Sequence, residues 1–177
     1  MSQLAARMSA RSQGLYVDER SVDVFVDQVL RVCDLGCEWL FVLEDDVRVL
    51  SPITRSLEFD LNGFNPHVRL PREVHLELLK SWRRPFFGGY GGCGGSIIRT
   101  NVLRKRPEEA TRRFLRRVIL RARRPFGSDE ILSSWVLFNG VTIGGYVGFA
   151  ETWYPNYRAL LEAGVVSVVH SYKDDYS

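Results

Sequence analysis

Glu38 to Leu50 reads EWLFVLEDDVRVL, and this stretch decides the fold that the sequence predicts. An apolar run from Trp39 to Leu43 shows no alternation and stops at three consecutive acids, Glu44, Asp45 and Asp46. A run of this kind is typical of a strand buried on both faces in a parallel sheet. The acids would then lie at the carboxyl end of the strand, where open α/β sheets bind ligands.

The acidic triplet predicts a cation site. Adjacent carboxylates repel one another, and a hard divalent cation is the simplest group that offsets their charge. The alternative is an acidic turn whose side chains are solvated. The sequence around the triplet favours a metal site for a phosphorylated ligand.

The composition is that of a globular protein. At 177 residues the chain has room for one domain with a substantial core. No apolar run approaches the roughly 20 residues that span a membrane, and residues 1–14 lack the apolar centre of a signal peptide. Cys33, Cys37 and Cys93 are odd in number and lack metal-site spacing. We therefore expect a reduced, cytoplasmic setting.

The positive charge is concentrated in one segment. Arg104 to Arg124 contains ten Lys/Arg and two Glu, a net +8, while the rest of the chain has 14 basic and 19 acidic residues, a net −5. Such a segment is either a solvated helix face or a surface that attracts a diphosphate, an anionic membrane or a nucleic acid.

The periodicity predicts helices and strands in alternation. The helix before the acidic strand begins at an N-cap, Ser21, and ends at Gly36. Another helix is capped by Ser128, and its first turn contains Asp129 and Glu130. The remaining helices are predicted at Arg72–Trp82, Pro107–Ala122 and Tyr157–Ala163, and further strands at Ser96–Ile98, Val141–Phe149 and Val165–Val169.

This order predicts an α/β protein with a mostly parallel central sheet. No convincing strand precedes the first helix, and residues 1–20 are expected to be a loop or frayed start. We therefore expect that the amino-terminal βαβ portion of such a sheet is missing from a single domain spanning residues 1–177.

Two further segments have the residue types of a binding site. Gly88 to Gly95 contains six glycines and leads into Ser96, and glycine lets a backbone approach a ligand closely. It is not a P-loop, because the Gly-Lys-Ser/Thr ending is absent; the alternative is a flexible hairpin loop. The last apolar strand ends at His170, which is either a structural histidine or a metal ligand.

Four pieces of the chain, in this order, resemble glycosyltransferases of the GT-A fold: VLEDDV, GGYGGCGGSIIRT, the SDE helix start and VVHSYK. The EDD triplet is similar to the DXD-type signature of these enzymes. The resemblance covers about Ser21 to Lys173 and implies a Rossmann-like three-layer fold. It also implies metal-dependent transfer of a sugar from a UDP- or GDP-sugar to a hydroxyl of a glycan, protein or lipid-linked acceptor.

The resemblance implies a role for each matched residue. Asp46 and His170 would bind Mn²⁺ or Mg²⁺, while Glu44 and Asp45 would face the donor. Asp129 or Glu130 would be the catalytic base, which implies inversion, although retention stays open. The donor and acceptor would be bordered by the glycine-rich segment, namely Gly92, Gly94, Gly95 and Ser96.

Three other functions fit parts of the sequence. A haloacid-dehalogenase-type phosphohydrolase requires Asp-x-Asp, but the spaced pair here is Glu44 and Asp46. A basic module could bind nucleic acid through Arg104–Arg124, but the leading interpretation expects no nucleic-acid partner and leaves open a peripheral membrane contact through this helix. A non-catalytic remnant that keeps the glycosyltransferase fold is the third.

Overall fold

The computed structural model describes residues 16–44, 47–53, 56–64, 68–83, 89–90, 95–152 and 156–170. The helices are α1 Val22–Cys33, α2 Arg72–Trp82, α3 Glu108–Ala122, α4 Ser128–Phe138 and α5 Tyr157–Glu162, with a 3-10 helix at Thr100–Arg104. The strands are β1 Tyr16–Val17, β2 Trp39–Leu43, β3 Val47–Val49, β4 Leu61–Gly63, β5 Val68–Arg69, β6 Gly89–Tyr90, β7 Gly95–Arg99, β8 Phe126–Gly127, β9 Ile143–Gly145, β10 Phe149–Glu151 and β11 Val168–His170.

The prediction of a GT-A, Rossmann-like fold with a mostly parallel central sheet is wrong. The described strands form small antiparallel and mixed sheets: β2-β7-β4-β9, β10-β11-β3, β1-β8 and β5-β6. Among the described strands, only β4–β9 and β10–β11 are parallel pairs. The prediction failed because alternation of helices and strands along the chain does not fix which strands pair, and short strands joined by long connections pair antiparallel here.

The strand before the acids also differs from its prediction. β2 pairs antiparallel with β7, so that Leu43 lies opposite Gly95, and β2 is the first strand of its sheet. Leu40 is buried, but Phe41 and Leu43 are 41% and 40% exposed. The apolar run therefore does not form a strand buried on both faces. Side chains alternate between the faces of β2, and the face that carries Phe41 and Leu43 stays partly open.

The helix predictions are confirmed, but two caps differ. α1 follows Ser21 directly, yet the Ser21 hydroxyl donates to the Asp18 carboxylate (2.7 Å) instead of capping the helix. α4 begins at Ser128, and its N-cap is Gly127, whose amide donates to the Glu130 carboxylate at 3.1 Å. The predicted strand Val141–Phe149 is divided into β9 and β10.

The described residues form three hydrophobic clusters, which are separated by the two larger sheets. Helices α1 to α4 pack on one face of the four-stranded sheet. Ile98 of β7 points to this face and belongs to the same hydrophobic cluster as the helices. Ile97, the adjacent residue, belongs to the cluster that joins this sheet to Phe149 and Val168 of the three-stranded sheet. α5 covers the other side of that second sheet. Alternating side chains of one strand thus enter two different clusters.

An ion-pair network joins α3 to α1. The Arg112 guanidinium, 10% exposed, donates to carboxylates of Asp27 (2.6 Å) and Asp23 (3.2 Å), to that of Glu108, and to the Asp23 carbonyl (2.9 Å). Burial alone would lower the pKa of Arg112, but these carboxylates raise it above its ordinary value. Arg116 also pairs with Asp23. Much of the positive charge of α3 is therefore used inside the fold.

Removing the Arg112 charge should destabilise the protein. We expect Arg112→Met to lower the free energy of unfolding by about 2–3 kcal/mol, because three carboxylates and a carbonyl lose a common donor. Urea denaturation measures the change.

The control is Arg113→Met on the same helix. Arg113 and its neighbour Glu109 are both largely exposed and 4.0 Å apart, so the cost should stay below about 0.5 kcal/mol. Equal costs for the two variants would contradict the role of the network.

Within the described residues, no helix combines the length and the apolar character that crossing a bilayer requires.

Candidate functional site

A turn after β2 connects Glu44, the first acid of the triplet, to the second sheet. Glu44 follows β2, and the amide of Val47, the first residue of β3, donates to the Glu44 carbonyl at 3.1 Å. Asp45 and Asp46, between these residues, lie outside the described part of the chain. The turn therefore connects β2 of the four-stranded sheet to β3 of the three-stranded sheet.

His170 reaches the same turn from the far end of the chain. It is the last residue of β11, where it lies opposite Val47 of β3 and beside Glu151 of β10. The His170 Nε2 atom is 3.9 Å from Glu44 Oε2, and its Nδ1 is 2.9 Å from Glu151 Oε2. Glu151 is fully buried and His170 is 8% exposed. Two residues that sequence reasoning chose, Glu44 and His170, thus come together.

Glu151 orients the His170 ring. A buried carboxylate accepts a hydrogen bond from Nδ1 when that atom is protonated, which leaves the Nε2 lone pair on the side of Glu44. A proton or a cation between these two atoms would offset the repulsion of their lone pairs. A carboxylate behind the ring is also the usual support of a metal-binding histidine.

The donor set fits a divalent cation in part. Two ligands at about 2.1 Å from a shared cation are separated by about 3–4 Å, and the distance from His170 Nε2 to Glu44 Oε2 is 3.9 Å. In the described ranges no group of three or more His, Cys, Asp or Glu side chains is arranged to hold a metal ion. The expected ligand Asp46 lies outside those ranges.

Gly95 and Ser96 adjoin this site from β7. They lie opposite Leu43 and Val42, the two residues that precede Glu44. Gly95 has φ of +133°, and a Cβ atom there would be 2.3 Å from the Val42 carbonyl oxygen. Glycine is therefore required for β2 and β7 to approach this closely. Gly92 and Gly94 lie outside the described residues.

Asp129 and Glu130 lie in the first turn of α4. This helix contacts β6, which lies near the start of the glycine-rich stretch. Glu130 pairs with Arg124 at 2.7 Å and caps the Gly127 amide. Burial raises the pKa of Asp129, as does the charge of Glu130, although the Glu130 amide donates to it at 2.8 Å. In the described part of the chain, no hydrogen bond or ion pair joins Asp129 or Glu130 to Glu44 or His170.

Sequence reasoning did not identify Glu151. It ends the short apolar strand Phe149-Ala150-Glu151, so it occupies the same kind of position as Glu44 and His170, an ionisable residue directly after or at the end of a strand. The predicted strand ended at Phe149, two residues before Glu151, and this boundary hid the signal.

Comparisons of the chain with protein-family models, with curated proteins and with solved structures gave no match.

Proposed function

We propose that this chain transfers a sugar from a nucleotide-diphosphate sugar, a UDP- or GDP-sugar, to a hydroxyl of a glycan, protein or lipid-linked acceptor. The observation that supports the proposal is the approach of His170 Nε2 to Glu44 Oε2 at 3.9 Å, with the ring held by buried Glu151. Glu44 and His170 belong to two of the four pieces of sequence that carry the glycosyltransferase resemblance. This activity depends on the side chains of the site, which come together here without a GT-A sheet.

The residues that would hold Mn²⁺ or Mg²⁺ are His170, Glu44 and Asp46. Oxygen ligands combined with one imidazole suit either ion, with some preference for Mn²⁺. The bound cation would supply positive charge beside the diphosphate, which leaves with increasing negative charge. Glu151 fixes the ring of His170 so that Nε2 stays directed at this position.

Asp129 is the proposed general base. As the acceptor oxygen bonds to the anomeric carbon, the bond from that carbon to the diphosphate breaks and the hydroxyl proton passes to a carboxylate. Partial burial raises the pKa of Asp129 and makes it a stronger base than an ordinary aspartate. Glu130 is less suited, because it is paired with Arg124 and caps α4. One displacement with one base inverts the anomeric centre.

Calorimetric titration with UDP and GDP, with and without Mn²⁺, tests the donor site. We expect Mn²⁺-dependent binding that Asp46→Ala and His170→Ala abolish, because each removes a proposed ligand. Glu151→Gln should weaken it by about 10–100-fold, since it changes the support of the ring and not a ligand.

The matched controls are Glu58→Ala, an acid in the loop before β4, and His75→Ala, a half-buried histidine of α2. Both should bind like the unmodified protein. If the controls and the site variants lose binding equally, or if Mn²⁺ makes no difference, the proposed donor site is wrong.

A further inference from the structure

We propose that the chain has a second anion site, a basic groove between α2 and α3 that binds a multiply charged phosphate group. Its walls carry six cationic side chains, which we call the groove cations: Lys80, Arg106, Arg113, Arg117, Arg121 and Arg123. None of them belongs to the candidate donor site, so this inference goes beyond the proposed function and does not depend on it.

The groove consists of two adjoining cavities that share Arg117. The larger, about 440 Å³, lies between Lys80 of α2 and the last turn of α3. The smaller, about 240 Å³, is lined by Ser81, Arg106 and Arg113. Together they form a shallow groove that is open to solvent, and the cations along it suit a ligand with more than one charged group.

The internal ion pairs leave this groove strongly positive. The Glu77 carboxylate, 3% exposed, accepts hydrogen bonds from Arg121 (2.9 Å) and Lys80 (3.3 Å) and forms an ion pair with Arg117 at 3.2 Å. One carboxylate thus holds three cations in place while offsetting only one of their charges. These side chains are 37%, 60% and 48% exposed, so they are positioned by the fold and still accessible to a ligand.

Arg106 is held in a different way. Its guanidinium lies over the rings of Trp82 and Phe138, at 4.4 Å from each centroid. A guanidinium between two aromatic faces keeps its charge and its planar donors in a fixed orientation. Such a preorganised donor loses little conformational freedom when it binds an oxyanion.

The backbone at the end of α3 supports a role for Arg123 in binding. Arg123 has φ of +53°, and its amide closes the helix by donating to the Ile119 carbonyl at 3.0 Å. Glycine is the favoured residue at this left-handed position. Arg83, which closes α2, also has positive φ, of +52°. Arg123 thus occupies a position where glycine would be more stable, and its side chain lines the larger cavity. A role in ligand binding would explain why arginine stands there.

Titration with pyrophosphate in EDTA tests the groove, because without a divalent cation the proposed donor site does not contribute. We expect saturable binding that falls roughly tenfold in Lys80→Gln and in Arg123→Gly, since each loses a charge-assisted contact. Arg123→Gly should also raise the urea midpoint, because glycine relieves the positive φ, whereas Arg123→Lys keeps the charge and should restore most of the binding.

Two controls separate the groove from general charge and from the donor site. Arg31→Gln removes one charge from the exposed last turn of α1, and Glu44→Ala disables the proposed donor site. Both should bind pyrophosphate normally. Absence of saturable binding, equal weakening in Arg31→Gln, or loss in Glu44→Ala would overturn the proposal.

Vesicles distinguish the two sources of the phosphate group. Leu120, 52% exposed, lines the larger cavity, and an apolar side chain beside basic ones suits a bilayer surface. Binding to phosphatidylcholine vesicles that contain phosphatidylinositol bisphosphate, displaced by pyrophosphate, would identify a lipid headgroup. Pyrophosphate binding without vesicle binding would identify a soluble phosphate compound. Vesicle binding that pyrophosphate does not displace and that Lys80→Gln leaves unchanged would count against the groove.

Discussion

Asp129→Asn is expected to lower the turnover number of glycosyl transfer by about 10²–10⁴-fold. The amide keeps the size of the carboxylate and accepts the same hydrogen bond from the Glu130 amide, but it cannot take a proton from the acceptor. Binding of the donor and Mn²⁺ should be retained. Single-turnover assays with a saturating nucleotide-sugar would measure the chemical step separately from binding.

The pH dependence follows from the direction of the pKa shift. Because the pKa of Asp129 is raised above the ordinary value of 3.8, the base becomes protonated, and activity is lost, at a higher pH than for an exposed aspartate. The acid limb of the rate profile should therefore lie above that value.

Glu130→Gln is the matched control, one residue along the same helix. It weakens the pair with Arg124 and the cap on Gly127, so it should lower stability while leaving the turnover number within a small factor of the original. If Asp129→Asn keeps the full rate, or if Glu130→Gln loses more, the assignment of the base is wrong.

Gly95→Ala is expected to lower the free energy of unfolding by about 3 kcal/mol or more. Two costs combine, since φ of +133° is a conformation that alanine rarely adopts and the new methyl group would meet the Val42 carbonyl oxygen at 2.3 Å. Relief of this collision would move the end of β2, and with it Glu44. Urea denaturation together with donor titration would measure both effects.

Gly36→Ala separates the two costs. Gly36 also has positive φ, of +75°, but nothing lies within 4 Å of the position of its Cβ, so only backbone strain of about 1 kcal/mol is expected. The difference between the two variants measures the collision of β7 with β2. Similar losses would show that these strands can separate at little cost.

The helices could be predicted because their signals are local. α3 illustrates this: Pro107 and two acids mark its start, and Phe114 and Val118 follow the helical period and are buried. Arg112 belongs to the basic segment for which a solvated helix face was one interpretation, yet it is buried. Only the packing of α3 on α1 supplies the carboxylates that make this burial favourable.

The candidate site was predictable residue by residue but not as a cluster. An ionisable residue at the end of an apolar strand was a sufficient signal for Glu44 and His170, and it would have identified Glu151 if the strand boundary had been placed two residues later. Their contacts depend on β11 lying between β3 and β10. Strand order is a non-local property, and no pattern within one strand specifies it.

The sequence alone determined the helices, the positions of the glycines and acids, and the concentration of positive charge in one segment, because periodicity, caps and composition act over a few residues. The tertiary structure decided the sheet pairing, the exposure of Phe41 and Leu43, and which arginines are paired inside the fold. These depend on contacts between distant segments, where an apolar run fits parallel and antiparallel pairing equally well. Burial of an apolar strand stabilises the fold against any neighbouring strand of suitable shape, because the hydrophobic effect is non-directional. Which strand becomes the neighbour depends on the whole chain.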